Sequence, residues 1–147
     1  MKMQALKNLT MVSLVLMLTA VSVCAQSERS MVTNIPFSFV VGQKTLPAGE
    51  YTFAPNREDS HDVWLVQGRD GRTKALFITM PVRASETQEK SKLIFHKYGD
   101  QYFLSQIWTP GSNSGRELRM PRLERELAKN AIERQTIVLA DGSAGRN

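Results

Sequence analysis

From Ile35 to Thr109 the chain alternates apolar and polar positions in short runs separated by Gly, Pro and Asp. Ile35, Phe37, Phe39 and Val41 alternate with Pro36, Ser38 and Val40, which predicts a first strand. Pro36 has no N–H for a ladder, so that strand starts there or lies at an edge. Gly42 and the run Leu46-Pro47-Ala48-Gly49 predict turns, because Pro presets φ and Gly accepts positive φ. Glu50 to Ala54 reads as a second strand with Tyr51 and Phe53 on one face, and Pro55 to Asp62 as a polar loop. Val63 to Val66 is apolar without alternation, which suits a strand covered on both faces. Arg69-Asp70-Gly71 is a hairpin signal, and Thr73 to Met80 returns with Leu76, Ile78 and Met80 opposite Ala75 and Phe77 until Pro81 ends it. Arg83 to Ser91 is a charged loop. Lys92 to Tyr98 and Gln101 to Thr109 form the clearest strand pair, joined at Gly99-Asp100. Thr109 to Gly115 has the composition of a flexible linker.

Past that linker the period changes. Pro121 suits a first helical position, and Met120, Leu123, Leu127 and Ala131 recur at helical spacing. The spacing predicts a helix over about 121–134 whose apolar stripe covers exposed strand faces. Thr136 to Ala140 is β-prone and can add an edge strand, and residues 141–147 read as a disordered tail. The expected fold is mainly β: a small antiparallel β-barrel or sandwich of six to seven strands with one C-terminal helix. It forms a single domain over 34–140, preceded by a polar lead-in at 26–33.

Residues 1–25 are set apart. Lys2 and Lys7 give a positive start, Leu9 to Val23 is an uncharged apolar run of 15 residues, and Val23-Cys24-Ala25 offers a cleavage site. That is the design of a secretory signal peptide, and 15 residues fall short of the ~20 that span a bilayer. A lipoprotein cysteine normally follows a small residue, whereas Val23 precedes Cys24, so cleavage after Ala25 explains the segment better. The mature chain then starts at Gln26, has 122 residues and lacks cysteine, which excludes disulfides and thiol chemistry. Removing Lys2 and Lys7 from 19 basic residues leaves 17 against 14 acidic ones, a net charge of +3. This is too weak to argue a nucleic-acid partner. The expected location is exported, periplasmic or secreted, with no transmembrane span in the mature chain.

Three stretches occur together: Pro36-Phe37-Ser38-Phe39 with Val41-Gly42, Leu46-Pro47-Ala48-Gly49-Glu50-Tyr51, and Phe95 to Leu104 continuing to Ile107-Trp108 and Gly115-Arg116-Glu117-Leu118. The set resembles a group of small exported bacterial proteins, uncharacterised and with no known activity. The resemblance implies a bacterial envelope or secreted location, and no activity, cofactor or catalytic residue carries over from it.

Candidate chemistry is sparse. Asp59, Ser60, His61 and Asp62 carry metal-ligand atoms, but adjacent loop residues seldom converge on one ion, and the run reads as a solvated acidic loop. His96 lies on a strand with Ser105 and Asp100 as conceivable nucleophile and acid, yet no Gly-x-Ser-x-Gly elbow presents them, and a half-buried hydrogen-bonded histidine is expected. Glu50 and Asp62 are a nominal carboxylate pair for glycoside chemistry. Gly111 and Gly115 lack the lysine of a phosphate loop. Trp64, Tyr98, Tyr102 and Trp108 are the candidate ligand surface, for sugars or exposed peptide, against a core-packing alternative. Arg116, Arg119, Arg122 and Arg125 recur every third residue, but Glu117, Glu124 and Glu126 interleave with them and predict a neutralised, solvated face rather than a site for anionic lipid or polymer. The expected function is that of a non-enzymatic envelope module binding a protein or a cell-surface polysaccharide. The alternatives are a small hydrolase of envelope glycans or peptides and a purely structural envelope protein.

Overall fold

A computed structural model describes residues 30–57 and 60–140, with Arg57, Ser60 and His61 as backbone only. The leader, most of the lead-in and the tail at 141–147 lie outside the described residues. Among the described residues, ten strands and one helix follow in the order β1 (Met31–Ile35), β2 (Phe39–Val41), β3 (Lys44–Leu46), β4 (Gly49–Arg57), β5 (Ser60–Gly68), β6 (Lys74–Arg83), β7 (Ser91–Tyr98), β8 (Gln101–Trp108), β9 (Ser114–Leu118), α1 (Arg122–Ala128) and β10 (Arg134–Ala140). The protein is mainly β, as its alternation implies. Hydrogen-bonded neighbours run β1-β4-β5-β6-β9-β8-β2-β3, with β7 on β8 and β10 on β7.

Two features correct the expected all-antiparallel arrangement of six to seven strands. The count is ten, and β2 joins β8 in parallel through Phe39 opposite Tyr102 and Val40 opposite Phe103. The sheet is therefore mixed. It is also open by hydrogen bonding: β1 lies alongside β10 with Thr33 Oγ1 3.3 Å from the Leu139 carbonyl, but no described ladder joins them.

The core is built from one face of each strand, as the pleat requires. Met31, Ile35, Phe39, Val41, Phe53, Trp64, Val66, Phe77, Leu93, Phe95, Leu104, Ile107 and Leu118 are all buried in one cluster. Phe39 anchors it, edge-on to Tyr51 (centroids 5.1 Å apart, planes at 88°) and to Phe95 (5.6 Å, 80°). Such pairs contribute about 0.5–1.5 kcal/mol each beyond the area they bury.

Several boundaries shift for identifiable reasons. The lead-in ends earlier than Thr33, because Met31 and Thr33 already point into the core from β1. The expected strand from Ile35 to Val41 is split around Pro36 to Ser38 into β1 and β2. β3 and β9 are short and polar, so alternation gives them no signal. The expected Pro55–Asp62 loop is instead the end of a long β4–β5 hairpin, with a register shift between Pro55 and Arg57 absorbing the proline. Pro81 does not end β6. It lies past Ile78, the last residue laddered to β5, and is paired with β9 alone, so its missing N–H costs no ladder bond on the free side. The Thr109–Gly115 segment is no loose linker: backbone bonds Ala84 N to Asn113 O, Gln88 N to Ser112 O and Gly111 N to Gln88 O tie it to the β6–β7 loop.

The helix departs furthest from expectation. α1 spans seven residues, not 121–134, and closes where the Lys129, Asn130 and Ala131 N–H groups bond back to Glu126 and Leu127 carbonyls. Its predicted stripe docks only in part: Leu123 is 52% exposed and Ala131 is exposed, Met120 and Leu127 are half-buried, whereas Glu124 is 2% exposed. The physical reason lies beneath it. The outer faces of β7 and β8 offer His96 and Tyr98 beside the buried Phe103, and a carboxylate satisfies those groups where a leucine cannot.

Candidate functional site

The ladders leave a second seam besides the β1–β10 junction. β9 reaches only Leu118, opposite Thr79, so Lys74 to Ile78 of β6 are laddered to β5 and to nothing on their other edge. β3 is laddered to β2 alone. Between these two edges runs a groove of about 900 Å³, with Val41, Phe77 and Leu118 as its floor. Lys44 Nζ reaches across and donates to the Lys74 carbonyl at 3.2 Å.

Alternation fixes what the groove displays. Ala75, Phe77 and Thr79 are the buried face of β6, so Leu76 (61% exposed) and Ile78 (70%) are turned out to solvent at the rim. Leu123 of α1 stands on the opposite lip. Lys44, Arg119, Arg122 and Arg125 are the charged residues of the lining, and among the described residues no Asp or Glu lines it. The groove thus joins apolar side chains to four cations with no anion in its lining.

The arginines are unneutralised because their expected partners are used elsewhere. Glu124 turns inward to His96, Glu126 pairs with Lys129 at 2.9 Å, and Glu117 accepts from Gln106 at 3.3 Å. Among the described residues, Arg119, Arg122 and Arg125 make no ion pair. The expected neutralised face is thus corrected: sequence interleaving placed the charges side by side, but the turn of α1 sends Glu124 to the sheet. Arg116 stands apart from the other three. It packs near Trp64 and Ile107 and pairs with Asp62 at 3.1 Å.

What holds α1 in place is a polar cluster. His96 Nδ1 lies 2.7 Å from Glu124 Oε1 and Nε2 lies 3.4 Å from Glu133 Oε1. Tyr98 Oη lies 3.4 Å from Glu124 and 3.3 Å from Glu133, its single proton shared between two carboxylates. The Glu124 hydrogen bond, with the charges of Glu124, Glu133 and Glu117, holds the imidazole pKa above its ordinary value despite burial. Burial first, then the same two carboxylates, push the Tyr98 phenol up to about 12. Ser105 lines a shallow 240 Å³ depression with His96 and Glu124. Yet both ring nitrogens face carboxylates, so neither is placed to take a proton from the hydroxyl. The cluster is an anchor rather than a catalytic dyad.

The remaining candidates scatter. Trp64 lies in the inner core, and Tyr102 stacks on Phe37 at 3.8 Å and packs against that core. Tyr98 and Trp108 are buried outside it, Trp108 over Gly115. The four aromatics therefore build no common platform, because each fills a packing position. Glu50, near Arg69 at 3.7 Å, and Asp62 sit toward opposite ends of the β4–β5 hairpin. At about 3.3 Å per residue they stand some 20 Å apart, beyond reach of one glycosidic bond. Asp100 is exposed in the β7–β8 turn. Asp59 and the side chains of Ser60 and His61 lie outside the described residues, and among those described no group of three or more His, Cys, Asp or Glu is arranged to hold a metal ion.

Sequence reasoning singled out the arginines but missed Lys44, Leu76, Ile78 and Leu123. The available signal was β6, whose two faces are both apolar although only one can enter a core. No protein-family model matches the chain, and neither a curated protein nor a solved structure is detectably similar to it.

Proposed function

We propose that the protein is an exported, non-enzymatic binding module of the bacterial envelope, and that the seam groove holds an anionic protein or cell-surface polymer. The leader-like composition of residues 1–25 supports export. The observation that carries binding is the set of three arginines that make no ion pair among the described residues, beside exposed Leu76, Ile78 and Leu123. Desolvating such cations is favourable only against anions, and large exposed apolar side chains cost least when covered. The groove has the concavity of a ligand site. We also read the strands as a barrel-like ring whose laddered path β1-β4-β5-β6-β9-β8-β7-β10 is left open between β1 and β10, a reading supported by the approach of those two strands.

The test is retention of the mature protein on immobilised alginate and poly-L-glutamate in a salt gradient. The Arg119→Glu/Arg122→Glu/Arg125→Glu variant is expected to elute at clearly lower salt, since screening acts on the contacts it removes. Equal elution of variant and parent on both matrices rejects the groove as the binding site.

A further inference from the structure

Two sides of the groove are strand edges, with the Leu118–Arg125 segment as a further side, and those edges narrow the ligand. Resting on the binding reading above, we infer that the groove takes an extended acidic peptide segment, which pairs as an added strand between β3 and the Lys74–Ile78 half of β6. A strand edge presents N–H and C=O groups at the spacing of another strand, so the ligand that uses both walls is a polypeptide. A polysaccharide or an acyl chain reaches the same cations but matches neither edge in register.

The side-chain pattern of the guest follows from the pleat. Positions turned inward meet Val41, Phe77 and Leu118, so they are apolar. Positions turned outward stand beside Leu76 and Ile78 on the β6 side and meet Arg119, Arg122 and Arg125 on the α1 side, where acidic side chains are matched. An alternating apolar–acidic segment is therefore the fitting partner, and a one-residue slip would set carboxylates on the apolar floor. Lys44 now bridges the two edges through its 3.2 Å contact with the Lys74 carbonyl. The guest displaces that exposed contact at small cost and gives the ammonium a carboxylate in exchange.

The experiment uses the mature chain and a labelled ten-residue peptide of alternating Glu and Val. Binding is read by fluorescence anisotropy and by amide hydrogen exchange. Two controls keep charge and composition: a block peptide of five Val followed by five Glu, and the alternating peptide with every second amide N-methylated, which cannot pair along one edge. Alginate and phosphatidylglycerol vesicles are tested alongside. The expected result is saturable binding of the alternating peptide, with slowed exchange confined to residues 44–46 and 74–78. Both controls should bind at least about tenfold more weakly, and so should the alternating peptide toward Arg119→Glu/Arg122→Glu. If all three peptides bind alike, or if exchange at the two edges is unchanged, strand addition is overturned. If alginate or vesicles bind in a way the arginine variant abolishes while no peptide does, strand addition fails and the anionic-ligand reading stands. If nothing binds, both fail.

Discussion

Glu124 Oε1 lies 2.7 Å from His96 Nδ1, joining a helix to a strand through a carboxylate that is 2% exposed and an imidazole whose side chain is 16% exposed. Because the folded-state pKa of His96 is raised above 6.5, its protonated form is the one that folding favours. That contribution is complete below about pH 6.5, the unfolded value, and is lost as pH rises through the folded value. Urea midpoints measured between pH 6 and 9 should fall with rising pH in the parent. They should fall less in His96→Asn, and a parallel decline would remove His96 as the cause.

Truncating the partner is more severe. Glu124→Ala leaves His96 and Tyr98 without their shared acceptor, which costs about 1–3 kcal/mol for the stranded groups. Chemical denaturation of Glu124→Ala, Glu124→Gln and parent should rank them in that order, with Ala the least stable. Glu124→Leu should not rescue, although leucine is the better helix former in a purely apolar contact.

The same comparison separates the helix stripe from the layer beneath it. Leu123→Ala should change stability by less than about 0.5 kcal/mol, since the side chain is mostly in solvent. Phe103→Ala, fully buried against Tyr98 at a centroid distance of 5.9 Å, should cost about 3–5 kcal/mol. Thermal melts of the two variants decide this directly.

Gly115 lies directly under the Trp108 indole: a Cβ added there would stand 2.6 Å from two ring carbons. Gly115 and Trp108 face each other in the β8–β9 ladder, so the ring cannot move away without disturbing that pairing. Gly115→Ala should destabilise by about 1–3 kcal/mol. In a Trp108→Ala background the same substitution should be close to neutral, and a double-mutant cycle without coupling would show that the contact is unimportant.

How far the fold was legible depended on the signal each element carried. β7 and β8 announce themselves through dense β-branched and aromatic residues around Gly99, whose φ of 59° the turn requires. β3 and β9 have three and five residues, mostly polar; β3 forms as the return strand of a short hairpin with β2, and β9 because the long β6 and β8 offer it their edges, which is a non-local cause. The helix stripe failed for a related reason: a periodicity of 3.6 identifies a face but not the chemistry that meets it, and here that chemistry is an imidazole and a phenol. The arginines were visible as a run. Whether they were neutralised depended on where Glu124 turned, and that is decided by His96, 28 residues earlier.

The approach of β1 to β10 bears on how the chain acquires its structure. Thr33 and Leu139 are separated by 106 residues, and the strands between them must be ordered before the two can meet. Closing so long a loop is entropically unfavourable, and topologies rich in such distant pairings fold slowly. Until β10 docks, the outer edge of β7 stays bare, with Leu93 and Phe95 incompletely covered. β10 is thus the strand that completes the wall, because the edge it pairs with exists only once β7 is in place.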